Sequence, residues 1–166
     1  LNSGFIFCIY HKEKTSKSMV SGVHLLYNTL GSDVFSNQVN VILTDNGSEF
    51  YDALNMECID GALRTHVFYC EPMQSGQKGS LENKHRELRY ILPKKKNLSE
   101  LGLKDQTSLN IITSHINSAS LKTLNGKSSL ELIRFLYDDM YDSLVRFGIK
   151  EIPKNDIILK PYLLKK

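Results

Sequence analysis

At 166 residues, with 41% hydrophobic and 23% charged side chains, the chain has the makeup of an ordinary globular protein with apolar mass for one core, not that of a fibrous or disordered one. A formal charge of +3 and a pI near 8.7 permit a nucleic-acid partner without demanding one. Cys8, Cys58 and Cys70 are odd in number, widely spaced and form no C-x-x-C, which argues against a disulfide framework or a zinc knuckle and for a reduced, cytoplasmic compartment. No apolar run approaches the roughly 18 residues needed to span a bilayer. The opening LNSGFIFCIYHKEK has neither a basic leader nor a small-residue cleavage site, so no membrane partner is expected.

Phe5 to Tyr10 is a run of aromatic and β-branched residues without polar alternation, which predicts an interior strand. Thr15 or Ser16 can cap a helix whose apolar positions (Met19 or Val20, Val23, Leu26, Leu30) recur at helical spacing, with Gly31 as the stop. Val39 to Thr44 reads as a second strand. The helix before it is long enough for a crossover, so a parallel pairing is open.

Tyr51 to Gly61 is weakly helical, and Thr65 to Cys70 is another short strand. EPMQSGQKG then reads as a mobile loop. A helix opening near Ser80 carries Leu81, Leu88 and Leu92 on one stripe, with His85 expected packed beside them, and Glu82, Arg86 and Arg89 on a neighbouring stripe. Pro93 ends it. Further helices are expected over Asp105 to Asn117 and from Ser128, where Ser128 and Glu131 have capping-box spacing, with a break near Asp138 and Asp139. The expected organisation is one domain over 1–148 and an extended basic tail over 149–166.

Asp45 follows a strand, where side chains leave a sheet but remain held by it, and Glu82 sits on a helix. The 36 residues between them leave room for a surface excursion and one more strand, so the two carboxylates could meet as a metal-binding pair. Hard oxygen donors suit Mg²⁺ or Mn²⁺, and one or two carboxylates per ion suffice because water and phosphate complete the shell.

VILTDNGSEF, FYCEPMQSGQKGSLENKHRELRYILPK, HINS and LNGKSSLEL, in that order, resemble the catalytic domain of bacterial insertion-sequence transposases of the IS-thirty group, over nearly the whole chain. A lone Asp-Asn-Gly is a common turn; the ordered set of motifs carries the likeness. The resemblance implies an α/β, ribonuclease H-like fold, shared with retroviral integrases, in which an Asp, Asp, Glu triad with Mg²⁺ cuts and joins DNA. Asp45 matches the second Asp and Glu82 the Glu. The first Asp has no counterpart, so the expectation is a core lacking its first strand or strands and inactive by itself. The chain departs from the family pattern at Met73 and Gly76, at Ser120, Leu121 and Lys122, and at Ser128-Ser129.

DNA is the partner this implies, with a homo-oligomer left open. Arg86 and Arg89 are read as phosphate contacts, against the alternative of an intrahelical Glu82–Arg86 ion pair. Lys78 and Lys94 are further candidates, although a surface loop explains Lys78 equally well and Lys94 to Lys96 could simply solvate a helix end. Asn46 and Glu49 are candidates to orient Asp45. The competing function is a non-catalytic fragment that binds DNA or pairs with transposase subunits.

Overall fold

A computed structural model describes the backbone of residues 3–70 and 79–165, and their side chains except for 79–83. It is mixed α/β and mostly helical, and it divides into two compact units, His11–Gln77 and Leu1–Tyr10 with Lys78–Lys166.

In the unit His11–Gln77, Thr15 takes the N-cap of α1 (Ser16–Leu30), its hydroxyl accepting from the Ser18 N–H at 3.2 Å. Gly31, at φ 81°, closes α1 in a conformation that would strain a residue with a Cβ. α2 (Ser32–Gln38) follows directly and buries Phe35 completely. β1 (Val41–Thr44) then pairs in parallel with β4 (His66–Tyr69), Val41 opposite His66 and Thr44 opposite Tyr69; the pairing is parallel, as the sequence left open, but the connection runs through residues 45–65 and not through the helix before β1.

Between them lie α3 (Ala53–Glu57) and a small hairpin, β2 (Cys58–Ile59) and β3 (Ala62–Leu63). Its two-residue turn, Asp60-Gly61, has positive φ at both positions (49° and 79°), as a twisted hairpin requires. Asp-Gly is the sequence signal for this turn, and the weakly helical reading of 51–61 passed over it. Arg64 is buried beneath the hairpin: its guanidinium donates to the Met56 and Asn55 carbonyls (3.0 and 3.2 Å) and lies 5.2 Å from the Tyr27 ring centre.

The second unit is built around α5 (Gln106–Ser118), a helix with nine buried residues, many of them polar. Ile112 and Ile116 anchor a core with Ile91, Leu103, Leu109 and Leu163. α4 (Gly79–Ile91), α6 (Ser129–Leu136) and α7 (Asp138–Phe147) complete the helical set, with Tyr137 marking the expected break between the last two.

Phe5 to Tyr10 is not a strand. Its backbone instead finds partners in the side chains of α5: Asn117 accepts from the Ile6 N–H (3.0 Å) and donates to the Ile6 carbonyl (2.7 Å), while Gln106 does the same for the Tyr10 N–H (2.8 Å) and the Cys8 carbonyl (2.9 Å). The apolar run called for burial, and amide side chains satisfy the backbone that a neighbouring strand would otherwise have paired.

Residues 149–165 are tied to α5 in the same manner. Ser114 and Ser118 accept from the Lys150 and Ile152 N–H groups (2.9 Å each), His115 Nδ1 accepts from Ile158 (3.1 Å), and Ile149 and Leu163 are buried. The stretch read as a basic tail is therefore packed within this unit rather than hanging from it.

Candidate metal and nucleic-acid site

β1 ends on Thr44, which is buried, and the next residue, Asp45, is exposed. The parallel ladder runs right to this end, since the Cys70 N–H donates to the Thr44 carbonyl at 2.7 Å. Asp45 is therefore carried at the carboxyl end of a strand whose last carbonyl is held by the segment that continues β4. Its Oδ1 accepts from the Gly47 N–H at 3.3 Å, closing an Asx turn that starts the reversal into the short 3₁₀ turn Ser48–Phe50.

Glu49, in that turn, is buried to 9% exposure and pairs with Lys14 at 2.8 Å. The hydrogen bond from Lys14 is the main reason its carboxyl lies below the usual range; the negative charge of Asp45 pushes the other way. Lys14 is correspondingly raised, chiefly by Glu49 and in smaller part by Asp45. Two acids and one lysine thus form one local electrostatic group. Glu49 is a candidate to orient Asp45, but its carboxylate is paired with Lys14. Nothing local in the sequence announces that lysine, because its partner lies 35 positions further on.

α4 carries the second candidate carboxylate, Glu82, whose side chain falls outside the described atoms, and Lys78 lies outside the described residues altogether. Arg86 and Arg89 are both exposed on this helix, and Lys94 to Lys96 are exposed beyond Pro93. His85 was expected against the core and is instead exposed. The buried face is set by Lys84, Leu88 and Ile91, at helical offsets of four and seven, which turns His85 outward. Lys84 is only 5% exposed and reaches Glu87 at 2.9 Å. Its place one turn before Leu88 on the apolar stripe was the available signal for that burial.

As a donor, Asp45 has the hard oxygens that Mg²⁺ or Mn²⁺ prefer, and its exposure leaves room for water and phosphate in the shell. Among the described residues, no three or more His, Cys, Asp and Glu side chains gather as a metal-binding group. No helix among the described residues is long and apolar enough to cross a membrane.

Over 75 residues, 45% of this chain, the sequence is 33% identical to the transposase for insertion sequence element IS1086 from Cupriavidus metallidurans. The chain is similar to a transposase. It spans 21% of that protein, about a fifth of its length. No family model matches the chain, and no solved structure does.

Proposed function

We propose that this chain is a DNA transposase of the IS-thirty type, with a ribonuclease H-like catalytic core in which Asp45 and Glu82 are the second and third acids of the triad. The observation that carries this reading is the 33% identity to the IS1086 transposase, together with the placement of Asp45 on the carboxyl edge of a parallel strand. Asp45 and Glu82 would hold Mg²⁺ or Mn²⁺, which when bound supplies activation of the attacking oxygen and stabilisation of the leaving one. Arg86, Arg89 and Lys94 are proposed to neutralise phosphates, a role that fits their exposure and, for the two arginines, the always-charged, forked guanidinium.

Two of the three acids are present in these 166 residues. Loss of one anionic ligand weakens metal binding and removes a geometric constraint on the reacting phosphate. The polypeptide by itself is therefore proposed to bind DNA, the insertion-sequence ends and their target, with little or no strand transfer. That same count of acids favours the second reading, a non-catalytic fragment that binds DNA or pairs with transposase subunits.

The test is one experiment with two readouts. DNA binding is measured across a salt series, and strand transfer is measured with Mg²⁺ and with Mn²⁺. Salt-sensitive binding without transfer is expected, weakened in Arg86→Ala and Arg89→Ala. Absence of salt-dependent DNA binding would sink the transposase reading, and detectable transfer would sink the proposed inactivity.

A further inference from the structure

α6 presents two apolar faces. Leu130 and Ile133 (0% and 2% exposed) point into the unit. On the outward side Leu132, Phe135 and Leu136 recur at offsets of three and four, with Phe135 exposed to 83% and Leu136 to 41%. A helix that is apolar on opposite sides is normally covered on both. Beside Phe135 is a hollow of about 500 Å³, lined among the described residues by Lys127, Glu131, Leu132, Arg134 and Phe135. A protruding aromatic ring and an apolar hollow thus adjoin on one surface.

The charges flanking the helix have a sense. Lys127 is exposed just before its amino end, and Asp138 and Asp139 are exposed just past its carboxyl end, in the first turn of α7. Glu131 is committed locally, to the Ser128 N–H at 2.6 Å in the capping box, and Arg134 to Glu151 at 2.7 Å. Among the described residues, Lys127 and the two aspartates form no salt bridge, and Lys127 contributes only a small long-range attraction to Glu131.

We propose that α6 is a two-fold interface between two copies of this chain, with the helices antiparallel and Phe135 of each copy seated in the hollow of the other. A two-fold axis makes the same patch meet itself, and with the axis perpendicular to α6 the two helices run antiparallel. It sets Lys127 of one copy against Asp138 and Asp139 of the second, twice over, whereas parallel packing would bring like charges together. Exposed ion pairs add little attraction, so their contribution is to register and direction, while the buried rings supply the binding. One short helix per copy makes a small interface, and a reversible, micromolar-range dimer follows. The proposal is independent of the transposase reading.

Sedimentation equilibrium of the 166-residue chain tests it. A monomer–dimer equilibrium is expected. Phe135→Asp should sediment as a monomer with an unchanged circular dichroism spectrum, because the ring it replaces is exposed. Lys127→Glu should weaken the dimer about tenfold, and adding Asp138→Lys with Asp139→Lys to the same chain should restore it. A chain monomeric at every concentration reached, which would leave the face to some other protein, overturns the proposal. So does a Phe135→Asp chain that dimerises as tightly as the unaltered one, or a charge reversal that is not rescued.

Discussion

The carboxylate of Glu49 folds back over the α-carbon of Gly47 and holds the ammonium of Lys14 at 2.8 Å. A Cβ on residue 47 would lie 2.6 Å from Glu49 Oε2, so the glycine is what leaves space for this fold-back. Its φ of −67° is open to any residue, so what a Cβ here would displace is the end of the Glu49 side chain and not the backbone. The acid nearest Asp45 in sequence is thereby partnered by a cation, which limits like-charge repulsion beside an exposed carboxylate.

This pairing has a pH signature. Glu49 is lowered from its usual 4.5, first by the hydrogen bond from Lys14, so its contribution to stability is present above 4.5 and is lost as pH falls through the lower folded value. Lys14 is raised above 10.5, so its contribution is present below 10.5 and is lost as pH rises through the folded value. Thermal unfolding followed from neutral to acid pH should show a shallower loss of stability in Lys14→Met than in the unaltered chain. Asp105 and Glu131 are also lowered, but by bonds this variant leaves intact, so the difference between the two curves reports Glu49. Superimposable curves would mean that the ion pair is not formed in solution.

Two capping boxes carry a local stability prediction. Asp105 accepts from the Ser108 N–H at 2.8 Å and Ser128 from the Glu131 N–H at 3.1 Å, each with the reciprocal bond in place. Asp105→Ala and Ser128→Ala should each cost about 1 kcal/mol in urea unfolding. The two losses should add, because the caps serve different helices and share no partner.

Asn117 is fully buried and closes both polar groups of Ile6. Asn117→Leu would strand an N–H and a carbonyl in an apolar setting, at about 1–3 kcal/mol for each group. A loss of about 2–5 kcal/mol in chemical denaturation is expected, several times that of removing a cap. A loss below about 1 kcal/mol would show that Ile6 exchanges Asn117 for water.

These residues also show where the sequence was readable and where it was not. The α1 cap and stop at Thr15 and Gly31, the strands at 41–44 and 66–69, and the Ser128 box are encoded by neighbours within one turn or one pleat, so pattern sufficed. Phe5 to Tyr10 has the composition of a strand, yet its partner is a helix more than 90 residues away, and no local rule predicts that amide side chains will stand in for a ladder. The docking of 149–165 depends on Ser114, His115 and Ser118, polar residues that in isolation read as the solvated face of α5. For the candidate site, the sequence supplied Asp45 and its place at a strand end. Its neighbour Lys14 emerged only when α1 and the Ser48–Phe50 turn were placed together.

Lys84 and Glu87 test how a buried charge is tolerated on the helix that carries Glu82. Lys84→Met keeps the length and apolar stem and removes the charge together with its desolvation cost, so stability should hold or rise slightly. Glu87→Ala leaves the buried ammonium without this carboxylate and should cost about 1–3 kcal/mol, the lower part of the range for such pairs because Glu87 is itself partly exposed. Equal losses in the two variants would contradict this ordering.

Asp45 and Glu82 are proposed to hold one divalent-metal centre. Iron(II) can take the place of Mg²⁺ among oxygen ligands, and with ascorbate and peroxide it cuts the backbone beside the groups that bind it. The 166-residue chain treated in this way, with DNA present, should be cut in two places, near residue 45 and near residue 82. Asp45→Asn and Glu82→Gln should each abolish both cuts, and excess Mg²⁺ should suppress them. Cutting at only one of the two positions, or a pattern that either substitution leaves unchanged, would contradict a shared centre.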